Sequence, residues 1–149
     1  AHGASALQLF DTSIGVLSSD VFKSFVLPYL QQINEALAEL DVPRIYFPLA
    51  GSHFLPLSAQ TGADILSIDW RTDINAAYQA MGENAIIQGN LDPTILYADE
   101  LTITGAVTRT LEQVQGRCHI FNLGHGLQPD MPYENVAFLI SEVHRLSQK

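Results

Sequence analysis

The chain has 149 residues, of which 47% are hydrophobic and 15% charged, a balance that excludes a disordered protein and suits one globular domain. A net charge of -9 with only seven lysines and arginines excludes a nucleic-acid surface. No apolar run approaches the roughly 18 residues of a transmembrane helix, so we expect no membrane partner. Cys118 is the single cysteine, which excludes an internal disulfide and predicts a cytoplasmic protein.

Five short apolar runs with strand character recur along the chain, each followed by a stretch with helical periodicity. The predicted strands are residues 6–10, 44–49, 64–69, 85–88 and 119–123. The predicted helices are residues 18–40, 54–61, 75–81, 100–115 and 133–146. Pro28 predicts a kink or break in the first helix. Asp92 and Pro93 together predict a helix start after the fourth strand.

Continuous apolar strands that alternate with helices indicate a parallel sheet covered by helices, in the α/β class. No linker or low-complexity tract divides the chain, so we predict one domain over residues 1–149. Two architectures fit this pattern, an open doubly wound sheet and part of a (β/α) barrel. Because a complete eight-stranded barrel needs about 250 residues, five βα units are too few to close one.

The end of the fifth strand carries the sequence Gly124-His125-Gly126. Glycines on both sides would let the backbone turn sharply and project the imidazole of His125 from the strand end. Ligands bind at this end of the strands in proteins of alternating strands and helices.

Several motifs, in this order, resemble the C-terminal part of the uroporphyrinogen decarboxylase family over essentially the whole chain. They are Leu-Phe-Asp-Thr-Ser-Ile-Gly at 9–15, Leu-Pro-Tyr-Leu at 27–30, Gly-Ala-Asp at 62–64, Ile-Asp-Trp at 68–70, Gln-Gly-Asn-Leu-Asp-Pro at 88–93, Asn-Leu-Gly-His-Gly at 122–126 and Pro-Asp at 129–130. The motifs at 88–93 and 122–126 are together specific for this family.

The resemblance implies a (β/α)8 TIM barrel of which this chain holds the last five βα units, incomplete on its own. Family members are similar in being homodimers that remove the four acetate carboxylates of uroporphyrinogen to give coproporphyrinogen in haem biosynthesis, without metal or organic cofactor. The arginines and the aspartate that act on the tetrapyrrole would lie in a missing N-terminal portion. We therefore expect no catalytic residue in this chain, no activity from it alone, and association with that portion or with a second copy.

Two residues match substrate-binding positions of the family. His125 would bind a substrate carboxylate; its structural alternative is a histidine that caps the loop before the last helix. Thr12 stands where relatives commonly have serine and would offer a hydroxyl near a substrate side chain. Its alternative is a turn residue that assists Asp11 and Ser13.

Other residues receive a structural interpretation first. Asp92 is expected to cap a helix rather than to act as a catalytic carboxylate. Trp70 fits a pocket wall and a packed side chain equally well, and Phe10 fits the core better than a pyrrole wall. His144 is expected to be solvated.

Four further residues were considered for zinc because distant relatives of the fold include zinc-dependent methyltransferases. They are His2, His53, Cys118 and His119. One cysteine that precedes a strand does not suit a site built from a histidine and two cysteines at strand ends, so no metal site is predicted.

Two alternatives to the decarboxylase remain open. One is a non-catalytic half-barrel that associates through its exposed sheet edges. The other is a homologue that acts on another substrate, for which Thr12 and the loop at Ala50-Gly51 leave room.

Overall fold

The computed structural model describes residues 3–148, in which helices alternate with the strands of one sheet. The strands are β1 (Leu7–Asp11), β2 (Arg44–Pro48), β3 (Ile65–Ser67), β4 (Ile86–Leu91) and β5 (His119–Leu123). The helices are α1 (Ser19–Phe25), α2 (Leu27–Leu37), α3 (Leu55–Ser58), α4 (Ile74–Met81), α5 (Glu100–Gln113) and α6 (Tyr133–Ser147). Short 3-10 turns span Ile14–Val16, Ala38–Leu40, Ser52–Phe54 and Pro93–Tyr97.

All five strands are parallel, and their order in the sheet is their order in the chain. A doubly wound sheet reverses its strand order at a switch point, whereas a (β/α) barrel adds strands in sequence. The sequential order therefore excludes the doubly wound sheet and confirms the barrel that the family resemblance implies. The fold is that of the C-terminal five βα units of a (β/α)8 barrel. Among residues 3–148, no strand pairs with the outer edge of β1 or of β5.

The strand prediction was correct for β5 and wrong in extent for the two strands before it. β4 does not end at Gln88 but continues to Leu91, because Gly89, Asn90 and Leu91 all pair with β5. A glycine followed by an asparagine has little strand propensity, so this extension depends on the neighbouring strand. β3 ends at Ser67, and the segment after it is held by side-chain hydrogen bonds of Asp69.

The predicted break in the first helix is confirmed. α1 starts after Ser18, whose hydroxyl accepts a hydrogen bond from the Val21 amide at 3.3 Å. It ends at Phe25, and Val26 separates it from α2, which has Pro28 in its first turn. Proline has no N–H to donate and its ring obstructs the preceding helical turn, so it is tolerated only near a helix start.

The core lies between the sheet and its helices in two clusters. The larger one contains Tyr46, Leu66 and Ile87 from three strands, with the stacked rings of Phe22 and Phe54 at a centroid distance of 4.4 Å. The smaller one joins β4 to the last two helices through Leu91, Leu96, Ile103, Val107 and Leu139.

Phe10 is not in either cluster, which corrects the sequence prediction. Its side chain is 64% exposed and meets Phe47 edge-on at a centroid distance of 5.9 Å. Side chains alternate along a strand, and Tyr46, next to Phe47, belongs to the core under the helices. Phe10 and Phe47 therefore lie on the opposite, open face of the sheet.

Within residues 3–148, no helix combines the length and the apolar character needed to cross a membrane.

Candidate active site

The carboxyl ends of four neighbouring strands surround a cavity of about 310 Å³. Its walls come from the loops after β2, β3, β4 and β5 and include Leu49, Trp70, Arg71, Tyr97, His125 and Met131. Ligands of (β/α) barrels bind at this end of the strands. A neighbouring cavity of about 390 Å³ at the same end shares Trp70 and Arg71 but lacks His125. The cavity lined by His125 is therefore the candidate site.

The carboxylate of Asp69 holds the loops around this cavity together. It is fully buried and accepts hydrogen bonds from the Ala50 amide at 2.7 Å and the Arg71 amide at 3.0 Å. The Thr72 hydroxyl donates at 3.3 Å and the Arg71 guanidinium at 3.1 Å. A buried charge is stable only when it is paired and hydrogen-bonded, and all these donors come from the loops it joins. Asp69 is thus a structural centre of the site.

Asn90 fixes the same loop from the neighbouring strand. Its side-chain amide donates to the carbonyl oxygens of Asp69 at 3.0 Å and Thr72 at 2.6 Å. The Gln-Gly-Asn-Leu-Asp-Pro motif therefore contributes an anchor through its asparagine. The motif had indicated the family, but not that Asn90 anchors the loop after β3.

Trp70 contacts both a cation and an imidazole. The Arg71 guanidinium lies over the Trp70 ring at 3.9 Å from its centroid, a cation–π contact. The His125 ring meets Trp70 edge-on at a centroid distance of 6.3 Å. The tryptophan, whose role was left open, is half-buried and forms a wall of the cavity.

The two glycines beside His125 differ in what they do. A β-carbon at Gly124 would overlap the backbone nitrogen of Trp70 and lie 3.0 Å from the Asp69 carbonyl carbon. At Gly126 an added β-carbon would meet nothing within 4 Å. Neither residue has a positive φ, so the expected sharp turn is not what requires them. A glycine is required at position 124 because two loops approach each other closely there. Position 126 has space for a side chain.

His125 itself is exposed at the cavity rim. Its Nδ1 is 3.4 Å from the carbonyl oxygen of Gly126, and Trp70 is its aromatic neighbour. The imidazole is thus available to a ligand. Its assignment as a carboxylate-binding residue stays a prediction.

Thr12 is exposed just after β1, at the same end of the sheet as His125 but on the strand farthest from β5. It does not line the cavity beside His125. Next to it, burial raises the pKa of Asp11, whose carboxylate accepts a 3.5 Å hydrogen bond from Tyr46. Burial, and then the charge of Asp11, raises the pKa of Tyr46. The structure brings Thr12 and His125 to one edge but not into one pocket.

Asp92 caps a helical turn as expected. Its Oδ1 accepts hydrogen bonds from the Thr94 amide at 2.9 Å and the Thr94 hydroxyl at 2.8 Å, and Pro93 starts the turn. Another carboxylate of this region, Asp130, accepts a 2.6 Å hydrogen bond from the Tyr97 hydroxyl. Both acidic groups already have donors within the protein.

Three of the four candidate zinc ligands lie within the described residues, and each has a different environment. Cys118 is exposed, His53 Nε2 contacts the Leu17 carbonyl at 2.8 Å, and His119 Nε2 contacts the Gly89 carbonyl at 2.6 Å. His2 lies outside the described residues. In the part of the chain that the structure describes, no three histidine, cysteine, aspartate or glutamate side chains are grouped to hold a metal ion.

Arg71 and Asn90 are the site residues that sequence reasoning missed. The arginines that act on the tetrapyrrole were expected in a missing N-terminal portion, yet Arg71 lines the cavity directly after the Ile-Asp-Trp motif. Its position next to that motif, at a predicted strand end, was the available signal.

Sequence comparison identifies relatives over nearly the whole chain. The family model described as "Uroporphyrinogen decarboxylase (URO-D)" matches residues 1–146. A uroporphyrinogen decarboxylase of Geobacter sulfurreducens is 42% identical over 148 residues, which are 99% of this chain and 44% of the relative. Those of Geobacter metallireducens and Syntrophotalea carbinolica are 43% and 42% identical, over 99% and 98% of this chain. The chain thus spans about 44% of the length of these relatives and corresponds to their C-terminal part.

A solved structure shares the fold. A methyltransferase from Methanosarcina mazei superposes with a TM-score of 0.81 over 98% of this chain and 43% of its own, at 22% sequence identity. At that identity the likeness concerns the fold alone. The specific relationship comes from the family match over residues 1–146 and from identities of 42 to 43%. The chain belongs to the uroporphyrinogen decarboxylase family.

Proposed function

We propose that this chain forms the C-terminal part of a uroporphyrinogen decarboxylase, a cofactor-independent carboxy-lyase of haem biosynthesis. Such an enzyme removes the four acetate carboxylates of uroporphyrinogen and leaves methyl groups, which gives coproporphyrinogen. The observation that carries the proposal is the 42% identity to a decarboxylase of that name over 99% of the chain. A cytoplasmic location accords with the single cysteine.

In the proposed reaction a pyrrole carbon is protonated and carbon dioxide leaves while the cationic ring takes up the electron pair. The methylene carbon is then protonated to a methyl group, and the ring carbon loses the proton that it first gained, so that one proton is taken up for each carbon dioxide released. The residues that drive these steps are proposed to lie in the rest of the barrel. This chain would supply substrate-binding groups, with His125 pairing with a carboxylate and Thr12 offering a hydroxyl.

The open face of the sheet offers a place for the macrocycle. The cavity of about 310 Å³ is at the small end of ligand sites, so it suits one pyrrole with its side chains. Phe10 projects from β1 on the open face, 64% exposed, two residues before Thr12. Its ring would serve as an apolar wall for the rest of the tetrapyrrole.

A chimera tests the proposal. The Geobacter sulfurreducens relative would be expressed with its matched C-terminal part replaced by this chain, and uroporphyrinogen decarboxylation would be measured by the coproporphyrinogen formed. We expect activity from the chimera and none from this chain alone.

The matched controls are His125→Ala in the chimera, expected to be strongly impaired, and His144→Ala, an exposed histidine on α6, expected to keep activity. A folded chimera that produces no coproporphyrinogen would contradict the proposed reaction. If the chimera is active and His125→Ala does not change its activity, His125 is not a substrate-binding residue.

Association through the sheet edges is the second candidate, and it does not exclude the first. Alongside the outer edge of β5, an apolar groove of about 300 Å³ runs against α6 and includes Leu123, Leu127, Val136 and Ile140. An unpaired parallel edge beside exposed apolar side chains favours a covering partner. We propose that the preceding part of the barrel covers it in a complete enzyme, which would be a homodimer, and that a second copy covers it when this chain is alone.

A further inference from the structure

Arg71 is the only arginine or lysine among the residues that line the cavity. A chain with a net charge of -9 has little positive potential to attract an anionic ligand. A guanidinium at this position is therefore the feature of the site that its composition would not lead one to expect.

The Arg71 guanidinium is fixed in position but keeps N–H groups that can bind a ligand. One nitrogen, Nη1, donates to the buried Asp69 carboxylate at 3.1 Å, and the Trp70 ring lies beneath the plane at 3.9 Å. The Arg71 side chain is nevertheless 51% exposed. Among the described residues, Asp69 is the only hydrogen-bond acceptor of the Arg71 side chain, so further N–H donors face solvent.

Among the described residues, Asp69 is the only carboxylate that forms an ion pair with Arg71. Asp69 is saturated by the loops that it joins, Asp92 accepts from Thr94, and Asp130 accepts from Tyr97. A planar fork of donors that is immobilised on an aromatic ring loses little entropy when it binds a carboxylate in two-pronged geometry.

We propose that Arg71 binds a carboxylate of the substrate in the cavity, which His125 and Trp70 also line. The inference rests on the proposed function, because a substrate with many carboxylates is what supplies the anion. Arg71 acts here as a substrate-binding residue, and Asp69 and Trp70 position it.

Trp70 provides a fluorescence probe beside Arg71, since it is the only tryptophan of the chain. Uroporphyrin, the oxidised octacarboxylate, would be titrated into the full chain at neutral pH and low ionic strength. Quenching of Trp70 emission would give a dissociation constant, and the porphyrin absorption band would provide a second, independent one. The titration would be repeated at higher salt.

The variants are Arg71→Gln, Arg71→Lys and the matched control Arg109→Gln, which removes the same charge from an exposed position on α5. We expect Arg71→Gln to weaken binding by about tenfold and to reduce its salt dependence, because one charge-assisted contact is lost. Arg71→Lys should fall between, since it keeps the charge without the fork. Arg109→Gln should bind like the unsubstituted chain.

Three results would overturn the inference. Equal affinity of Arg71→Gln and the unsubstituted chain, with saturable binding in both, would show that Arg71 does not bind the ligand. The proposed function would remain intact. An equal loss in Arg109→Gln would show a general charge effect instead of a contact. Failure of the unsubstituted chain to bind uroporphyrin would contradict tetrapyrrole binding by this chain. It would also contradict the role proposed for Arg71. Thermal unfolding of each variant distinguishes lost binding from lost folding.

Discussion

Gly124 and Trp70 approach so closely that a β-carbon on the glycine would overlap the backbone nitrogen of the tryptophan. These residues belong to loops after β5 and β3, two strands that are separated in the sheet by β4. Their contact joins the loop of His125 to the loop of Arg71. The shape of the cavity therefore depends on the absence of a side chain at Gly124.

Gly124→Ala should displace the Trp70 loop and destabilise the fold by about 1–3 kcal/mol, the usual cost of inserting a methyl group into a packed region. The change would be measured as a lower midpoint of urea unfolding and as an altered emission of Trp70. Gly126→Ala is the control, because its β-carbon meets open space. Equal stability of the two variants would show that the loops can move apart without cost.

Asn90→Ala should loosen the loop at 69–72. The substitution leaves the Thr72 carbonyl oxygen without its side-chain donor, whereas the Asp69 carbonyl oxygen keeps the Thr72 amide at 3.1 Å. An unsatisfied buried polar group costs about 1–3 kcal/mol, so we expect a loss near the lower end of this range. Urea unfolding would measure the loss, and Asn84→Ala, in an exposed turn, would serve as the control. If Trp70 emission and stability both stay unchanged, Asn90 does not anchor the loop.

Stability should fall at low pH through Glu142, which joins α5 to α6. Its carboxylate accepts hydrogen bonds from Arg145 at 2.7 and 2.8 Å and from Thr104 at 2.9 Å. These donors, Arg145 first, lower the pKa of Glu142 from 4.5 to about 2. A lowered carboxyl pKa means that the unfolded chain takes up the proton first. The stabilisation is therefore complete above the unfolded pKa and is lost as the pH falls from about 4.5 to about 2.

Glu142→Gln checks this directly. The variant should be less stable than the unsubstituted chain at neutral pH, and the two unfolding free energies should converge as the pH falls through that range. Glu112→Gln, at an exposed position of α5, should leave the pH dependence unchanged. A constant difference at every pH would mean that Glu142 acts by packing rather than by its charge.

The isolated chain should associate through the groove beside β5. We expect its native mass to exceed the 16.3 kDa of one chain, because an uncovered edge and an apolar groove favour a partner. Ile140→Glu, which places a charge at a half-exposed groove position, should shift the chain towards monomer. Leu101→Glu, on α5 and 82% exposed, should not. Sedimentation velocity over a concentration series would measure the distribution, and a strictly monomeric unsubstituted chain would count against this association.

Much of the fold was readable because its signals are local. Ser18, Asp73 and Asp99 each cap a helix by accepting a hydrogen bond from an amide three residues ahead. The His119–Leu123 strand and the helix after it had the expected type and place because an apolar run and its flanking turn residues are adjacent in sequence. The family motifs were also contiguous, and the family they indicated is confirmed.

The sequence by itself determined the five βα units, the family and the position of His125 at a strand end, since each depends on neighbouring residues. The resemblance already implied a (β/α) barrel, which the sequential strand order confirms. Only the tertiary structure decided the extension of β4 through Gly89 and the exposure of Phe10. It also decided that Asp69 and Asn90 build the site, that Gly124 is required by a neighbouring loop, and that Arg71 faces the cavity. These features arise from contacts between residues far apart in the chain, and no local pattern of residue types encodes which distant loop will be the neighbour.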